Sequence, residues 1–301
     1  MASKNGLRSY ATPVAFRAAL ESRLRKGTFG AGFQRKRQIF VFGRLIARLV
    51  RTFGDRLVLK GGLALELRLE RARTTRDIDL AVFGQVNRML ETLQEAGQMD
   101  LKDFLSFEVT QDGEIDGEGV IYGGHHFKVH CKLGGETYLH FPVDVVFGGV
   151  MLGSATEVQY RDDLSFIGIP PTIVKLLPIS SHIAEKLHAY TLPRRTINFR
   201  VRDLPDIALL ATVKEPIARP TLYEAISLTF AARETHAVPL SLQSPPQSWG
   251  DEYAKLAEEN ELQWESLADV YAAVKSFIEP VLIDQSPGWW NVAKWTWDPE
   301  P

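Results

Sequence analysis

Apolar residues recur at helical spacing near the start of the chain. Between residues 35 and 53, Ile39, Leu45, Ile46 and Leu49 fall close to the 3.6-residue period of an α-helix. Several arginines and a lysine occupy other positions of the same stretch. The pattern therefore predicts an amphipathic helix with one apolar face and a basic opposite face.

The following segments alternate between strand-like and helix-like patterns. A short apolar run predicts a strand at residues 56–60, and the strong helix formers of residues 62–70 predict a helix. Residues 77–83 predict a buried strand, and residues 88–97 predict a helix that ends at a glycine. Two further strands joined by a tight turn are predicted within residues 125–148. This order predicts a mixed α/β unit.

The pattern changes after a proline-rich passage at residues 168–180. Helical patterns follow at residues 181–190, 204–213, 220–234, 251–261 and 266–282. We therefore expect three parts in the chain. Residues 1–33, rich in Gly, Ser and Arg, are predicted to be a loosely ordered lead-in, residues 34–175 an α/β domain, and residues 176–301 an α-helical domain.

Composition narrows the class of protein. The 301 residues carry a formal net charge of −2, which argues against a strongly basic nucleic-acid binder. Cys131 is the only cysteine, so a single chain has neither an internal disulfide nor a zinc site built from cysteines. No stretch approaches the roughly 20 apolar residues of a membrane span, and the first residues do not resemble a signal peptide. We expect a cytoplasmic protein without membrane contact.

Two aspartates and two glycines point to phosphate chemistry. On a strand, Asp77 and Asp79 project to the same side, and neighbouring carboxylates repel unless a cation lies between them. Hard oxygen ligands suit Mg²⁺ bound together with nucleotide phosphates. A strand-to-helix turn at Gly61 and Gly62 would let backbone amides approach a phosphate. Asp144, the lone charge of an apolar strand, is a third candidate ligand, although all three aspartates also suit a solvated strand end.

These motifs resemble a known family. The double glycine, the helix, Asp-x-Asp and a later lone aspartate are similar to the nucleotidyltransferase fold of polymerase β. More narrowly, "LKGGLALELRL…RTTRDIDLAVF" followed by "IAEKLHAY…RVRDLPDIALL" resembles the AbiEii/AbiGii family of nucleotidyltransferase toxins from bacterial type IV toxin–antitoxin systems. The resemblance covers about residues 57–210. It implies an α/β (α+β) polymerase β-like domain with a mixed sheet, followed by a C-terminal α-helical domain.

The resemblance also implies roles for individual residues. The expected nucleotide-binding residues are Lys60, Gly61, Gly62, Arg76 and Lys186. The expected metal ligands are Asp77, Asp79 and Asp144, for Mg²⁺ or Mn²⁺, and the expected catalytic residues are Asp77, Asp79, Lys186, Asp203 and Asp206. The chain departs from the family at Leu63, where a hydroxyl residue usually follows the glycines.

The resemblance implies a reaction and its partners. The enzyme would transfer NMP from an NTP to a hydroxyl, with the 3′ end of tRNA as the expected acceptor, and this tRNA modification would block translation and growth. An antitoxin encoded nearby would act without forming a stable complex, in the manner of abortive infection systems. The residues themselves leave open a protein or small-molecule acceptor. They also leave open an inactive nucleotide- or RNA-binding module, which Leu63 suggests.

The second motif has simpler explanations as well. Lys186 flanks a predicted buried stripe behind a serine N-cap, where a lysine is commonly just solvated. Asp203 and Asp206 would suit the N-cap and first turn of the next helix, since Pro205 lies between them.

Three other groups of residues have more than one interpretation. The basic stretch that contains Arg194, Arg195, Arg200 and Arg202 suits either an RNA backbone or a solvated face. Four tryptophans near the C-terminus suit base stacking or, more often, a strap packed on the helical domain. The histidines near Cys131 are too far apart along a strand to share one metal ion.

Overall fold

The computed structural model describes residues 10–26, 30–69, 75–115, 123–160, 167–194 and 200–299. Its helices are α1 (Pro13–Leu24), α2 (Ala31–Phe53), α3 (Gly61–Arg68), α4 (Met89–Gly97), α5 (Ile179–Thr191), α6 (Asp203–Leu210), α7 (Arg219–Arg233), α8 (Gly250–Glu259) and α9 (Leu267–Ile283). Its strands are β1 (Leu57–Lys60), β2 (Ile78–Val82), β3 (Leu105–Glu114), β4 (Gly124–Leu133), β5 (Glu136–Phe147), β6 (Thr156–Gln159), β7 (Ile173–Leu176), β8 (Trp289–Asn291) and β9 (Thr296–Asp298). None of the described helices is long and apolar enough to cross a membrane.

A seven-stranded mixed sheet lies at the centre of the N-terminal part, in the order β3-β4-β5-β2-β1-β7-β6. Strand β2 pairs parallel with β5 and antiparallel with β1. This mixed α/β architecture confirms the predicted fold class. The register places Asp79 of β2 opposite Lys60 on one side and Asp144 on the other. Residues far apart in sequence therefore meet at one point of the sheet.

Helices α1, α2 and α4 share a hydrophobic core with this sheet. The core also encloses an ion cluster in which Arg48 Nη2 and Arg44 Nε each lie 2.8 Å from a carboxylate oxygen of Asp103. All three side chains are almost completely buried. Burial alone would raise the pKa of Asp103, but the hydrogen bonds and positive charges of the arginines hold it below its usual value. The cluster joins α2 to the segment before β3.

The helices after β7 form a second core, in which Ile183, Leu187 and Tyr190 are buried as their spacing predicts. Leu65 of α3 is fully buried in this second core. Helix α3 therefore connects the sheet with the helical part at the double-glycine turn. The division between residues 175 and 176 remains a prediction.

Part of the predicted lead-in is a helix. Helix α1 is capped by the Thr12 side chain and buries Phe16, Leu20 and Leu24. These three residues recur every fourth position, which gives one narrow apolar stripe in a segment otherwise rich in polar residues. The expectation of loose order was therefore wrong for residues 13–24 and for residues 31–33, which begin α2, whereas residues 1–9 and 27–29 lie outside the described part. Strands β3, β6, β7, β8 and β9 were likewise not predicted.

The tryptophan-rich segment forms the hairpin β8–β9, which packs on the helical core. The indole nitrogen of Trp290 donates to the backbone oxygen of Ala211 at 2.8 Å, and that of Trp297 donates to Phe277 at 2.9 Å. Trp290 is buried against the Phe277 ring. The strap interpretation of this segment is confirmed, because the indole groups are used within the protein.

Candidate functional site

The turn between β1 and α3 brings the backbone against a carboxylate. Gly61 has a φ of +62°, and a Cβ built on it would lie 1.7 Å from Oδ2 of Asp79. A side chain at this position would therefore displace Asp79, which explains the glycine. No side chain caps the start of α3, so its first amides are available to an anionic group. Leu63, the departure from the family, is fully buried in the core beneath the sheet.

Three aspartates meet at the neighbouring strand ends. Asp79 and Asp144 are directly opposite each other on β2 and β5, and Asp77 immediately precedes β2. All three line one cavity. Burial, followed by the negative charge of Asp77 and then that of Asp144, raises the pKa of Asp79 to about 7, although Lys60 opposes the shift. The structure thus brings these three predicted residues together, and their role as metal ligands stays a prediction.

Two neighbouring side chains contact the carboxylates of Asp77 and Asp144. The Thr75 hydroxyl donates a hydrogen bond to Asp77 Oδ1. The Nδ1 atom of His126 lies 2.7 Å from Asp144 Oδ1, because β4 and β5 pair these residues across the sheet. Sequence analysis missed His126 as a member of the site. Its only sequence signal was its place in the predicted hairpin, which needed the strand register to be informative.

Lys186 lies between two aspartates of the second motif. Its Nζ atom is 2.8 Å from Asp206 Oδ2 and 3.2 Å from Asp203 Oδ1. Both carboxylates are buried, and the lysine side chain is 14% exposed. Asp203 is the first residue of α6, which has no side-chain cap, so the alternative of Asp203 as an N-cap was wrong. The serine N-cap proposed for α5 was also wrong, since Pro178 occupies that position.

Another group of ion pairs lies next to the one formed by Lys186, Asp203 and Asp206. The Lys60 ammonium lies 2.8 Å from Glu185 Oε2, and Arg233 of α7 approaches the same carboxylate at 3.7 Å. Burial would raise the pKa of Glu185, but Lys60 and Arg233 keep it lowered. Sequence analysis did not identify Glu185 or Arg233. Glu185 had a signal in its position next to Lys186, whereas Arg233 had none.

Two cavities of about 230 and 430 Å³ adjoin at the carboxylates. Both are lined by Asp79, Asp144, Lys186, Arg200 and Asp203. We call the smaller one the helix-walled cavity; its further lining includes Lys60, Gly61, His182, Glu185, Thr229 and Arg233. We call the larger one the charged cavity; its further lining is Gly62, Asp77, Arg202 and Glu252.

All of the predicted site residues except two therefore line these cavities. Arg76 is exposed and lines neither cavity. Asp206 is completely buried behind Lys186 and also lines neither one. Arg195, from the predicted basic stretch, lies outside the described residues. Among the residues that the structure describes, no three His, Cys, Asp or Glu side chains form a preassembled metal cluster.

Comparisons with known proteins identify the family of the chain and solved structures of similar fold. The family model for "Nucleotidyl transferase AbiEii toxin, Type IV TA system" matches residues 44–294, which is most of the chain. MenT4, a nucleotidyltransferase toxin from Mycobacterium tuberculosis, is similar in structure with a TM-score of 0.51 and 18% identity, over 76% of this chain and 78% of that one. JHP933 from Helicobacter pylori matches with a TM-score of 0.45 and 14% identity, over 85% and 95% of the two chains. No curated protein sequence matches significantly.

Proposed function

The chain belongs to the AbiEii family of nucleotidyltransferase toxins of type IV toxin–antitoxin systems, and from this membership we propose the reaction and the roles of its residues. We propose that the protein transfers NMP from an NTP to a hydroxyl group of an acceptor and releases pyrophosphate. The single observation that carries this proposal is the register of β2 and β5, which sets Asp79 beside Asp144 at the glycine turn.

The donor phosphates fit the turn between β1 and α3. Gly61 and Gly62 present backbone without side chains, and the uncapped start of α3 favours an anion. Lys60 adds a positive charge at the end of β1, where Glu185 holds its ammonium in place. We therefore assign phosphate binding to the turn and Lys60. Since Arg76 is exposed outside both cavities, we give it a smaller part in this binding.

The aspartates fit a divalent metal by their donor chemistry. Asp77, Asp79 and Asp144 offer carboxylate oxygens around one cavity, and burial followed by the negative charges of Asp77 and Asp144 raises the pKa of Asp79. Mg²⁺, or Mn²⁺ in its place, would be held by these side chains together with the nucleotide. The bound ion would stabilise negative charge on the reacting phosphate. One of the three carboxylates would accept the proton of the attacking hydroxyl.

Lys186 offsets negative charge on the donor as the phosphate bonds change. Asp203 and Asp206 hold its ammonium at the boundary of the two cavities. We propose that Asp206, which is fully buried, is a positioning residue that acts through Lys186. Asp203 also faces both cavities, so it can contact a substrate directly.

The family relation supports tRNA as the acceptor and a cognate antitoxin that acts without a stable complex. Addition of a nucleotide to the tRNA 3′ end would block aminoacylation and growth. Arg200 and Arg202 line the charged cavity, and their positive charges suit a phosphate backbone. The MenT4 comparison supports the fold alone, because the two sequences are 18% identical.

The test is transfer of label from each α-³²P NTP to total tRNA in Mg²⁺, resolved on a denaturing gel. We expect label from one or a few NTPs, loss of at least about a hundredfold in Asp79→Asn, and loss on chelation of the metal. Asp112→Asn is the matched control, since Asp112 is an exposed aspartate of β3 that pairs only with Lys128 among the described contacts.

The outcomes separate the alternatives. Label on tRNA that survives Asp79→Asn would refute the assigned site. Absence of label on tRNA, together with label on added proteins or small hydroxyl compounds, would replace the acceptor and keep the reaction. NTP binding without transfer to any acceptor would support the inactive binding module that Leu63 suggests.

A further inference from the structure

The two cavities differ in chemistry although they share the carboxylate site. Among the described residues, the charged cavity is lined by acidic and basic side chains and one glycine. The helix-walled cavity adds apolar side chains of Val146, Val150 and Ala189, and the neutral hydroxyl of Thr229. A nucleobase and its sugar combine apolar faces with neutral polar edges, so the helix-walled cavity suits them better. A phosphate-rich acceptor suits the charged cavity.

The wall of the helix-walled cavity contains buried polar atoms that have no hydrogen-bond partner among the described residues. His182 and Thr229 are 1% and 2% exposed. Both ring nitrogens of His182 and the Thr229 hydroxyl lack hydrogen-bond partners among the described residues. Buried polar groups are normally paired, so unpaired groups beside a cavity indicate partners supplied by a ligand. These groups come from two helices, α5 and α7, whose side chains face the same space.

The charge state of His182 fits a neutral ligand edge. Burial, followed by the charges of Lys186 and Arg68, lowers the pKa of His182 to about 3. The imidazole is therefore neutral at physiological pH, with one nitrogen that donates and one that accepts. Thr229 likewise offers a donor and an acceptor. A nucleobase edge presents both kinds of group, whereas a phosphate presents only acceptors.

The position of His182 relative to Lys186 adds a geometric argument. His182 and Lys186 are four residues apart on α5, so they lie about one helical turn from each other on the same face. Lys186 stands at the carboxylates where the two cavities meet. A donor whose reacting phosphate lies at Lys186 would therefore reach His182 with its nucleoside part.

We propose that the helix-walled cavity holds the nucleoside of the donor NTP and that Thr229 and His182 read its base, while the acceptor enters through the charged cavity. The proposal rests on the proposed transfer reaction and adds the place of each substrate. It assigns nucleotide preference to α5 and α7 rather than to the sheet.

The test compares two substitutions in this wall with matched controls. Ala189→Phe fills the cavity from α5, and Thr229→Val removes the hydroxyl with little change in shape. Ala272→Phe and Thr221→Val make the same changes at exposed positions of α9 and α7. Dissociation constants are measured in Mg²⁺ for α,β-methylene analogues of the four NTPs, which do not need an acceptor. Transfer to total tRNA then gives separate KM values for NTP and for tRNA.

We expect Ala189→Phe to weaken NTP binding by more than about twentyfold and to leave the KM for tRNA within about twofold. Thr229→Val should weaken binding of the preferred NTP by about three- to tenfold, as expected for one lost hydrogen bond. The differences in affinity among the four NTPs should become smaller. Both controls should bind as the unmodified protein does. If Ala189→Phe fails to fold, as judged by circular dichroism, Thr229→Val carries the test.

Opposite results would overturn the proposal. Unchanged NTP binding in the Thr229→Val and Ala189→Phe proteins, with a raised KM for tRNA, would place the acceptor in the helix-walled cavity. Equal weakening of all four NTPs by Thr229→Val would remove its role in base preference. If the unmodified protein bound NTP but transferred no label, the proposed reaction would fail while the binding constants still located the nucleoside.

Discussion

Replacement of Asp79 by asparagine should stabilise the protein while it abolishes transfer. The pKa of Asp79 is raised from 3.8 to about 7 in the folded chain. A raised pKa means that folding favours the protonated carboxyl. The contribution of Asp79 to the stability of the protein is therefore fully present below about pH 4 and is lost as the pH rises to about 7. The difference corresponds to at most about 4 kcal/mol above pH 7. Water in the cavity will reduce this figure, because the side chain is only partly buried.

The asparagine stays neutral in the folded and the unfolded state, so the stability that it gains over the aspartate depends on pH. It should be largest at pH 8.5 and about half as large at pH 5.5, where the folded protein already keeps Asp79 protonated. For a chain of 301 residues each kcal/mol corresponds to roughly 1.5–2 °C in Tm. We expect Asp79→Asn to melt several degrees above the unmodified protein at pH 8.5, and the gap to shrink at pH 5.5.

Thermal melts by differential scanning fluorimetry at the two pH values, with and without Mg²⁺ and an NTP, test this reasoning. Mg²⁺ with NTP should raise the Tm of the unmodified protein more than that of Asp79→Asn. The bound cation offsets the repulsion between the carboxylates, and the mutation has already removed that repulsion. Asp112→Asn controls for loss of a surface charge. A lower Tm for Asp79→Asn at pH 8.5, or a gap independent of pH, would refute the account of the carboxylate site.

Three further substitutions test other parts of the structure. Asp103→Asn should destabilise the chain by about 3–5 kcal/mol in urea unfolding, because it leaves Arg44 and Arg48 buried without their counter-ion; a loss below about 1 kcal/mol would contradict this. Gly61→Ala should lower transfer at least about tenfold in the labelling assay, since its Cβ would collide with Asp79, and normal activity would show that the turn adjusts. Leu63→Ser should lower the Tm without raising activity, because position 63 faces the core; a gain of activity would restore the family hydroxyl as a functional group.

The local patterns of the sequence were sufficient for much of the fold. Periodicity and helix formers identified α2 to α9 with boundaries within a few residues, and apolar runs identified β1, β2, β4 and β5. Strands β3, β6, β7, β8 and β9 were missed. Strand β3 has polar residues over much of its second half, and β6 and β7 are only four residues long, so their pairing with neighbouring strands defines them.

The sequence by itself also indicated which residues are candidates for the chemistry. The spacing of the glycines and of Asp77 and Asp79 indicated phosphates and a metal, since few other partners stabilise adjacent carboxylates. Only the tertiary structure decided which side chains from other elements contact these groups. Strand register brought His126 to Asp144, and the packing of α5 against α6 and α7 set Lys186 between two carboxylates and Arg233 near Glu185. Spacing along a chain fixes which face a side chain occupies, but contacts between elements depend on how those elements pack.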